Sequence, residues 1–165
     1  MGFVCIFTGD GKGKTFSGIG MAIRFLGHGK KVAIVQFLKG RKNGEVALRK
    51  QLPQLEIIQF GTEEDVDLTC PSEEDVKNAK EALFYSRRLM IRAYRPDLLV
   101  LDEVNTALSA GMIEESAVLE LMKNVPDKTS IVLTGNGATD KMVEIADVVT
   151  EMKNLKKRAK GKKGE

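Results

Sequence analysis

The chain has 165 residues, of which 42% are hydrophobic and 30% are charged. This size and balance predict one soluble domain with a buried core and exclude a disordered chain. No apolar run approaches the roughly 20 residues of a membrane-spanning helix, and no basic leader opens the sequence, so we expect neither a membrane anchor nor a secretory signal. Two cysteines, Cys5 and Cys70, are too few for a disulfide framework or a zinc site. We therefore expect a cytoplasmic protein, with Cys5 buried as a small hydrophobic residue.

The positive charge is concentrated at one end of the chain. The net charge is +3, but residues 152–165 hold seven Lys or Arg and one Glu, a net of +6 that leaves −3 for the rest. A body with that balance does not favour a nucleic-acid groove. We predict a single α/β domain over residues 1–152 and a basic, disordered tail over residues 153–165.

Short apolar runs alternate with longer amphipathic stretches along the chain. Six apolar runs predict strands at Phe3–Thr8, Val32–Phe37, Leu55–Phe60, Leu98–Asp102, Ser130–Thr134 and Asp147–Thr150. The stretches between them predict helices at Lys14–Leu26, Gly44–Leu52, Ser72–Tyr94, Glu114–Lys123 and Thr139–Ala146. Strands that alternate with helices predict right-handed βαβ units, so we expect a three-layer α/β fold with a mainly parallel sheet of about six strands.

The segment before the long helix is acidic. Residues 61–75 hold seven acidic residues and no basic ones, which predicts an exposed loop. Ser72 is placed to cap the helix, and Asp75 stands at the capping-box position. The loop should therefore end where Ser72 starts the helix.

A glycine-rich turn, Thr8–Thr15 (TGDGKGKT), joins the first strand to the first helix. Its glycines let backbone N–H groups point inward as an anion nest, and the helix directs its positive end at the same point. Lys14 supplies a positive charge for phosphate oxygens, and the Thr15 hydroxyl can ligate Mg²⁺. Thr8 stands where the usual phosphate-loop pattern has glycine. The alternative is a Gly- and Lys-rich surface turn, but the strand, turn and helix signals agree on a P-loop NTPase-like fold.

Two acidic residues, Asp102 and Glu103, end the apolar run LLVLDE. Carboxylates at the end of a buried strand lie beside the phosphate loop in such folds, where one of them meets Mg²⁺ directly or through water. The alternative is a strand that ends in solvated acids. Together with Thr8–Thr15, the pair indicates a nucleoside triphosphate with Mg²⁺ and leaves its use open.

From about residue 3 to residue 152, the chain resembles the P-loop type of ATP:corrinoid adenosyltransferases. The resemblance is carried by TGDGKGKT at 8–15, AIRFLGHGKKV at 22–32, VQFLKG at 35–40, VLDEVNTAL at 100–108, LTGNGA at 133–138 and IADVVTEM at 145–152. It implies transfer of the 5′-deoxyadenosyl group of ATP to the cobalt(I) of a corrinoid, with release of triphosphate, in cobalamin biosynthesis or salvage. It also implies that ATP binds with its γ-phosphate in the loop. The resemblance further implies a cytoplasmic homodimer that can work with a reductase partner.

The resemblance also assigns roles to residues of this chain. The implied catalytic residues are Lys14, Thr15 and Glu103. The implied Mg²⁺ ligands are Thr15 and Glu103, and Asp102 would support these ligands without binding the metal itself. The implied nucleotide-binding residues are Gly9, Asp10, Gly11, Lys12, Gly13, Lys14, Thr15 and Arg24. Because the nucleophile is cobalt(I), no Ser, Cys or His nucleophile is needed.

Several of these residues also have a purely structural interpretation. Arg24 can be a helix-surface arginine. His28 lies in a turn between Gly27 and Gly29, where we expect a structural role and no proton transfer. Gln36 and Lys39 lie near the end of the second strand and are further candidates for lining the site.

The chain departs from the family pattern in two places. The family has an aromatic pair with a tryptophan in the loop after the third strand, where it packs against the corrinoid. The loop here reads FGTEEDVDLT, with Phe60 as its only aromatic residue, and the chain has no Trp. Asn136 stands where relatives have an arginine that contacts triphosphate.

Two other functions stay open at this point. The first is a P-loop kinase or ATPase that acts on another small-molecule acceptor, which ADP release in place of triphosphate would reveal. The second is a nucleotide-dependent nucleic-acid module that uses the basic tail, which the lack of interleaved aromatic residues disfavours.

Overall fold

The computed structural model of the protein describes residues 2–41, 44, 47, 51–91 and 95–156. Its strands are β1 (Val4–Thr8), β2 (Val32–Phe37), β3 (Leu55–Phe60), β4 (Leu98–Asp102), β5 (Ser130–Thr134) and β6 (Val148–Glu151). The helices of the described ranges are α1 (Lys14–Gly27), α2 (Glu73–Ile91), α3 (Val104–Ser109), α4 (Glu115–Lys123) and α5 (Asp140–Ile145). All six predicted strands are confirmed, with shifts of at most one residue.

The helix predictions differ from the structure in two places. The helix predicted at 44–52 lies largely outside the described residues, as do the last three residues of the one predicted at 72–94. Helix α3 was not predicted. It has only six residues, which is too short a window for a helical repeat of apolar residues to be recognised in the sequence.

All six strands belong to one sheet, and every neighbouring pair is parallel, in the order β3-β2-β4-β5-β1-β6. The predicted parallel α/β fold is therefore confirmed. In a parallel sheet, the carboxyl ends of all strands meet at the same edge. The ends of β1, β2, β4 and β5 thus come together, and these are the ends that carry the candidate site residues.

The sheet has a helix layer on each face. Helix α1 packs on the face that includes Ile34, Val100 and Val132. Helices α2, α3, α4 and α5 pack on the opposite face, together with Leu99 and Leu101. Alternate residues of β1, β2, β4 and β5 therefore enter different cores, which explains why these four strands are apolar on both faces.

Helix α1 comes close to the sheet at Gly18. A Cβ atom added there would lie 3.1 Å from Val100 Cγ1 and 3.3 Å from Thr134 Cγ2. This separation is tighter than an ordinary van der Waals contact, so a larger residue would push the helix away from the sheet. Gly18 thereby holds the first turn of α1 against the ends of β4 and β5.

Local signals in the sequence agree with the ends of the helices. Ser72 and Asp75 form the predicted capping box: Asp75 N–H donates to Ser72 Oγ over 3.2 Å, and Ser72 N–H donates to Asp75 Oδ2 over 3.0 Å. Helix α1 ends at Gly27, and Gly29 has a φ of +69° in the turn that follows.

Both cysteines are free thiols, and Cys5 is buried as predicted. Burial raises the pKa of the Cys5 thiol, so Cys5 stays protonated and serves as packing in the α1 core. No helix within the described ranges has both the length and the apolar character needed to span a membrane.

Candidate active site

The phosphate loop follows β1 and leads directly into α1. Gly13 precedes the helix with a φ of +113°, a conformation that favours glycine. The Lys14 ammonium lies across the loop, where it donates to the Gly9 carbonyl over 2.8 Å and to the Gly11 carbonyl over 2.7 Å. The charge is thus held over the turn by backbone carbonyls, at the point that the positive end of α1 also faces.

The segment after β6 forms hydrogen bonds with the backbone of this loop. Gly11 N–H donates to the Met152 carbonyl over 2.8 Å, and the Asn154 amide donates to the Asp10 carbonyl over 3.0 Å. A Cβ atom at Gly9 would lie 2.4 Å from the Met152 oxygen, and one at Gly11 would lie 2.6 Å from it. These two glycines are therefore required by backbone contact with residue 152, in addition to any contact with phosphate.

Thr8, which replaces the usual glycine, has a structural partner. Its hydroxyl accepts a hydrogen bond from Ala138 N–H over 3.3 Å. The contact ties the start of the phosphate loop to the loop after β5. This link accounts for a polar residue at the position.

Strand alternation turns the polar strand ends toward α1. Asp102 shares its side of β4 with Val100, and Thr134 shares its side of β5 with Val132, both of which pack against α1. Gln36 likewise shares its side of β2 with Ile34. The three polar side chains therefore converge beneath the first turn of α1.

Asp102 is the centre of the resulting hydrogen-bond network, and only 1% of its surface is exposed. Its Oδ1 accepts from the Thr15 hydroxyl and from the Thr134 hydroxyl, each over 2.7 Å. Its Oδ2 accepts from the Lys39 ammonium over 2.5 Å and from the Gln36 amide over 3.3 Å. With four donors around it, one of them the Lys39 ammonium, this buried carboxylate is held in a single orientation.

Two residues beside the network have strained backbones. Leu38 has a φ of +58° and Glu103 has a φ of +65°, and neither is glycine. They are the only such residues in the described ranges. Each directly follows a strand and adjoins a member of the network, and strain of this kind is typical of functional sites.

Glu103 is oriented by the elements on either side of it. Its N–H donates to the Thr134 hydroxyl over 3.0 Å, and its Oε2 accepts from the Thr106 hydroxyl over 2.5 Å. Thr106 Oγ1 in turn accepts from Asn136 N–H over 3.0 Å. Asn136, which stands at the position of an expected arginine, thus contributes a backbone contact to the rim of the site.

Close packing under this rim gives a testable difference between two glycines. Gly135 has a φ of +121°, and a Cβ atom there would lie 2.7 Å from Thr106 N and Oγ1, whereas Gly111 has a φ of +72° and open space around it. We expect Gly135→Ala to lower the free energy of unfolding by about 3 kcal/mol and Gly111→Ala by about 1 kcal/mol. Urea denaturation measures both values. Equal losses would contradict the proposed clash with Thr106.

An open cleft of about 550 Å³ lies over these groups. It is lined by Asp10, Gly11, Lys12, Gly13, Lys14, Thr15, Phe16, Lys39 and Glu103. The structure therefore brings the predicted loop residues and Glu103 together, with Gly9 contributing its carbonyl to Lys14. Lys39, a candidate from its strand position, is also in the cleft, and Gln36 lies in the buried network beneath it.

Other predicted positions lie apart from the cleft. Arg24 is exposed on α1, about 15 Å along the helix from Lys14 at 1.5 Å per residue. His28 is exposed in the turn after α1. Sequence reasoning missed Thr134 and Phe16, although a polar residue that ends an apolar strand at the same sheet edge was an available signal for Thr134.

The donor set suits a magnesium ion that arrives with phosphate. Thr15 gives its hydroxyl proton to Asp102, so its oxygen lone pairs face a cation, which in this structure is the Lys39 ammonium 3.5 Å away. No group of three or more His, Cys, Asp or Glu able to hold a metal occurs within the described part of the chain. Mg²⁺ usually takes one or two protein oxygens and fills its other positions with water and substrate phosphates, so these residues fit it.

The sequence matches one protein family over residues 1–165, described as ATP:corrinoid adenosyltransferase BtuR/CobO/CobP. A corrinoid adenosyltransferase of Pseudomonas aeruginosa is 38% identical over 158 residues, which cover 94% of this chain and 76% of that protein. The corrinoid adenosyltransferase of Escherichia coli K12 is 31% identical over 157 residues, with 94% and 78% covered.

Among solved structures, a KaiC-like protein from the archaeon Pyrococcus horikoshii OT3 has a similar fold. Its TM-score is 0.56 at 17% sequence identity, and the match covers 92% of this chain and 74% of that one. At this identity the likeness concerns the fold alone.

Proposed function

The chain belongs to the ATP:corrinoid adenosyltransferase family and is a transferase that moves the adenosyl group of ATP to a corrinoid, and we propose that the cleft above Asp102 holds the ATP by its triphosphate. The main support is the placement of Lys14 Nζ over the loop, 2.8 Å from the Gly9 carbonyl. Phosphate oxygens offered to the loop would meet this ammonium and the positive end of α1 together.

In the proposed reaction, the electron pair of cobalt(I) attacks C5′ of the ribose. The Co–C bond forms as the C5′–O bond breaks, and the triphosphate leaves with the bonding pair. The corrinoid supplies the nucleophile, so the protein needs no general base at the reacting carbon. Its tasks are to hold C5′ in line with cobalt and to stabilise the negative charge that develops on the leaving oxygen.

We assign the stabilisation of the triphosphate to the residues that line the cleft. Lys14 and Lys12 would neutralise phosphate oxygens, while the backbone of Gly9–Gly13 would accommodate their approach. Thr15 and Glu103 would hold Mg²⁺, while Asp102 would fix the Thr15 hydroxyl in place and add its negative charge to the same cation position. Bound Mg²⁺ would supply further neutralisation of the leaving triphosphate. Arg24 is kept as a candidate nucleotide contact only by its motif match.

Product analysis tests the proposal directly. The protein is mixed with ATP, Mg²⁺ and chemically reduced cob(I)alamin without oxygen, and the cobalt(I) absorbance is followed while the phosphate products are separated. We expect the absorbance to decay with one triphosphate released for each cobalt alkylated. Release of ADP would instead favour the kinase or ATPase alternative, for which no comparison offers support.

Glu103→Gln should lower Mg²⁺-dependent turnover by about tenfold or more and change ATP affinity much less, because a neutral amide is a weaker ligand for a hard cation. The measurements are turnover against Mg²⁺ concentration and ATP binding by calorimetry. Glu120→Gln is the matched control, since Glu120 is exposed on α4 and pairs with Arg87. Equal turnover in Glu103→Gln and the unmodified protein would reject the metal role.

Three further proposals concern assembly and location. A homodimer is implied by the family resemblance, and light scattering should then give twice the chain mass. A cytoplasmic location agrees with two free cysteines in the chain. A reductase partner would supply cobalt(I).

The division into a domain over 1–152 and a basic tail also stays a proposal. Asn154 contacts the phosphate loop, and residues 157–165 lie outside the described ranges.

A further inference from the structure

Lys39 forms an ion pair within the network around Asp102. Its ammonium lies 2.5 Å from Asp102 Oδ2 and 3.5 Å from Thr15 Oγ1. The carboxylate is 1% exposed, while the lysine side chain is 25% exposed and borders the open cleft. A positive charge therefore already lies between the hydroxyl and the carboxylate that would serve the magnesium ion.

We propose that Lys39 is a stand-in cation, whose ammonium occupies the cation position between Thr15 and Asp102 in the nucleotide-free enzyme and excludes divalent metal from it. This inference rests on the proposed function, because it assumes that Mg²⁺ and triphosphate bind in this cleft. Lys39 acts here as a positioning residue, through Asp102 and Thr15. Both cations cannot share one buried carboxylate and one hydroxyl at these distances without strong repulsion.

The backbone around Lys39 supports a dedicated position for this ammonium. The preceding residue, Leu38, has the unfavourable φ of +58° that turns the chain at the end of β2. The following residue, Gly40, packs so closely against the next loop that a Cβ atom would lie 2.5 Å from the Gly61 and Thr62 carbonyl oxygens. A strained residue on one side and tight packing on the other fix the direction in which Lys39 leaves the backbone.

Because Lys39 is partly exposed, its ammonium can also turn from Asp102 toward the cleft. The cleft that it borders is the one assigned to the triphosphate, and phosphate oxygens are alternative partners for an ammonium. When the nucleotide arrives, Lys39 can pair with phosphate, and Asp102 and Thr15 then become available to the metal. Metal would therefore bind weakly to the empty enzyme and enter together with the nucleotide.

Binding of Mn²⁺ alone to the nucleotide-free full chain tests this exclusion, with free Mn²⁺ measured by electron paramagnetic resonance. Lys39→Met removes the charge and keeps the length, and it leaves the Asp102 carboxylate unpaired. We expect Lys39→Met to bind Mn²⁺ about tenfold more tightly than the unmodified protein. Lys39→Arg retains the charge and should bind Mn²⁺ as weakly as the unmodified protein.

Two controls separate exclusion from a general change of charge. Lys80→Met removes a lysine from the exposed surface of α2, outside the cleft, and it should leave Mn²⁺ affinity within about twofold of the unmodified value. In an Asp102→Asn background, Lys39→Met should give no gain, because the carboxylate that both cations need is absent.

Equal Mn²⁺ affinity in Lys39→Met and the unmodified protein would overturn the inference, as would an equal gain from Lys80→Met. Thermal melting shows whether each variant is folded, and Lys39→Gln provides a second neutral variant if Lys39→Met is not. Because no corrinoid and no turnover enter this experiment, its outcome is independent of the product analysis that tests the proposed function.

Discussion

Lys14→Ala should weaken ATP binding about a hundredfold or more and remove most adenosyl transfer, since charge-assisted contacts with phosphate are among the strongest polar interactions of a protein. The Lys14 ammonium is held over the phosphate loop by two backbone carbonyls. Those carbonyls would remain in the variant as acceptors without a donor, facing a triphosphate of the same sign. The loop would thus lose its attraction and gain a source of repulsion.

Calorimetric titration with ATP and Mg²⁺ measures this effect. The matched control is Lys80→Ala, which removes a lysine from the exposed surface of α2 and should leave ATP affinity unchanged. Unchanged ATP binding in folded Lys14→Ala would contradict the assignment of the loop to the triphosphate. A loss of similar size in both variants would show that total charge matters more than the position of Lys14.

Asp102→Asn is expected to lower adenosyl transfer by about a hundredfold. Asparagine keeps the size of the side chain but loses the charge, and its NH₂ group cannot accept a hydrogen bond. The variant would leave Lys39 without its carboxylate and would deprive either the amide of Gln36 or the hydroxyls of Thr15 and Thr134 of an acceptor. The Thr15 hydroxyl would then no longer be oriented for Mg²⁺.

The same substitution should also lower the free energy of unfolding, but by less than the loss of a fully buried ion pair would. Breaking a buried ion pair costs about 3–5 kcal/mol, and Lys39 is 25% exposed, so hydration of its ammonium recovers part of the loss. We expect a fall of about 2 kcal/mol in the free energy of unfolding. Turnover and urea denaturation measure the two effects separately.

Asp97→Asn is the control, at the opposite edge of the sheet. Asp97 precedes β4 at the opposite end of the strand from Asp102 and pairs with Lys30 near the surface over 3.5 Å. We expect its substitution to cost less than about 1 kcal/mol and to leave turnover intact. Equal turnover in Asp102→Asn and the unmodified protein would exclude Asp102 from the working of the site.

Local patterns predicted a large part of the architecture. The strands were recognised as short apolar runs, and four of them, β1, β2, β4 and β5, enter both cores. The capping box of α2 was recognised because Ser72 and Asp75 are three residues apart in the chain. The phosphate loop is also local: glycines, lysine and helix start are contiguous. Helix α3 was missed because its six residues are too few for a helical repeat to be recognised.

The network around Asp102 depends on contacts that no local pattern encodes. Its partners Gln36, Thr134 and Thr15 come from β2, β5 and α1, and they meet because of the strand order and because alternation turns all three strand ends toward α1. The requirement for glycine at positions 9 and 11 likewise arises from Met152, about 140 residues away along the chain. Hydrogen bonds between parallel strands join distant segments, and composition does not record which segments these are.

The sequence alone determined that this chain is a P-loop α/β protein with a glycine-rich loop at Thr8–Thr15, and its motifs indicated the family. This was possible because an anion nest and the start of a helix are built from consecutive residues. Only the tertiary structure decided that Lys39 lies against Asp102 and Thr15, and that Arg24 lies away from the cleft. The physical reason is that the direction of a long side chain at a strained backbone position depends on the packing of neighbouring loops, which the order of residues does not state.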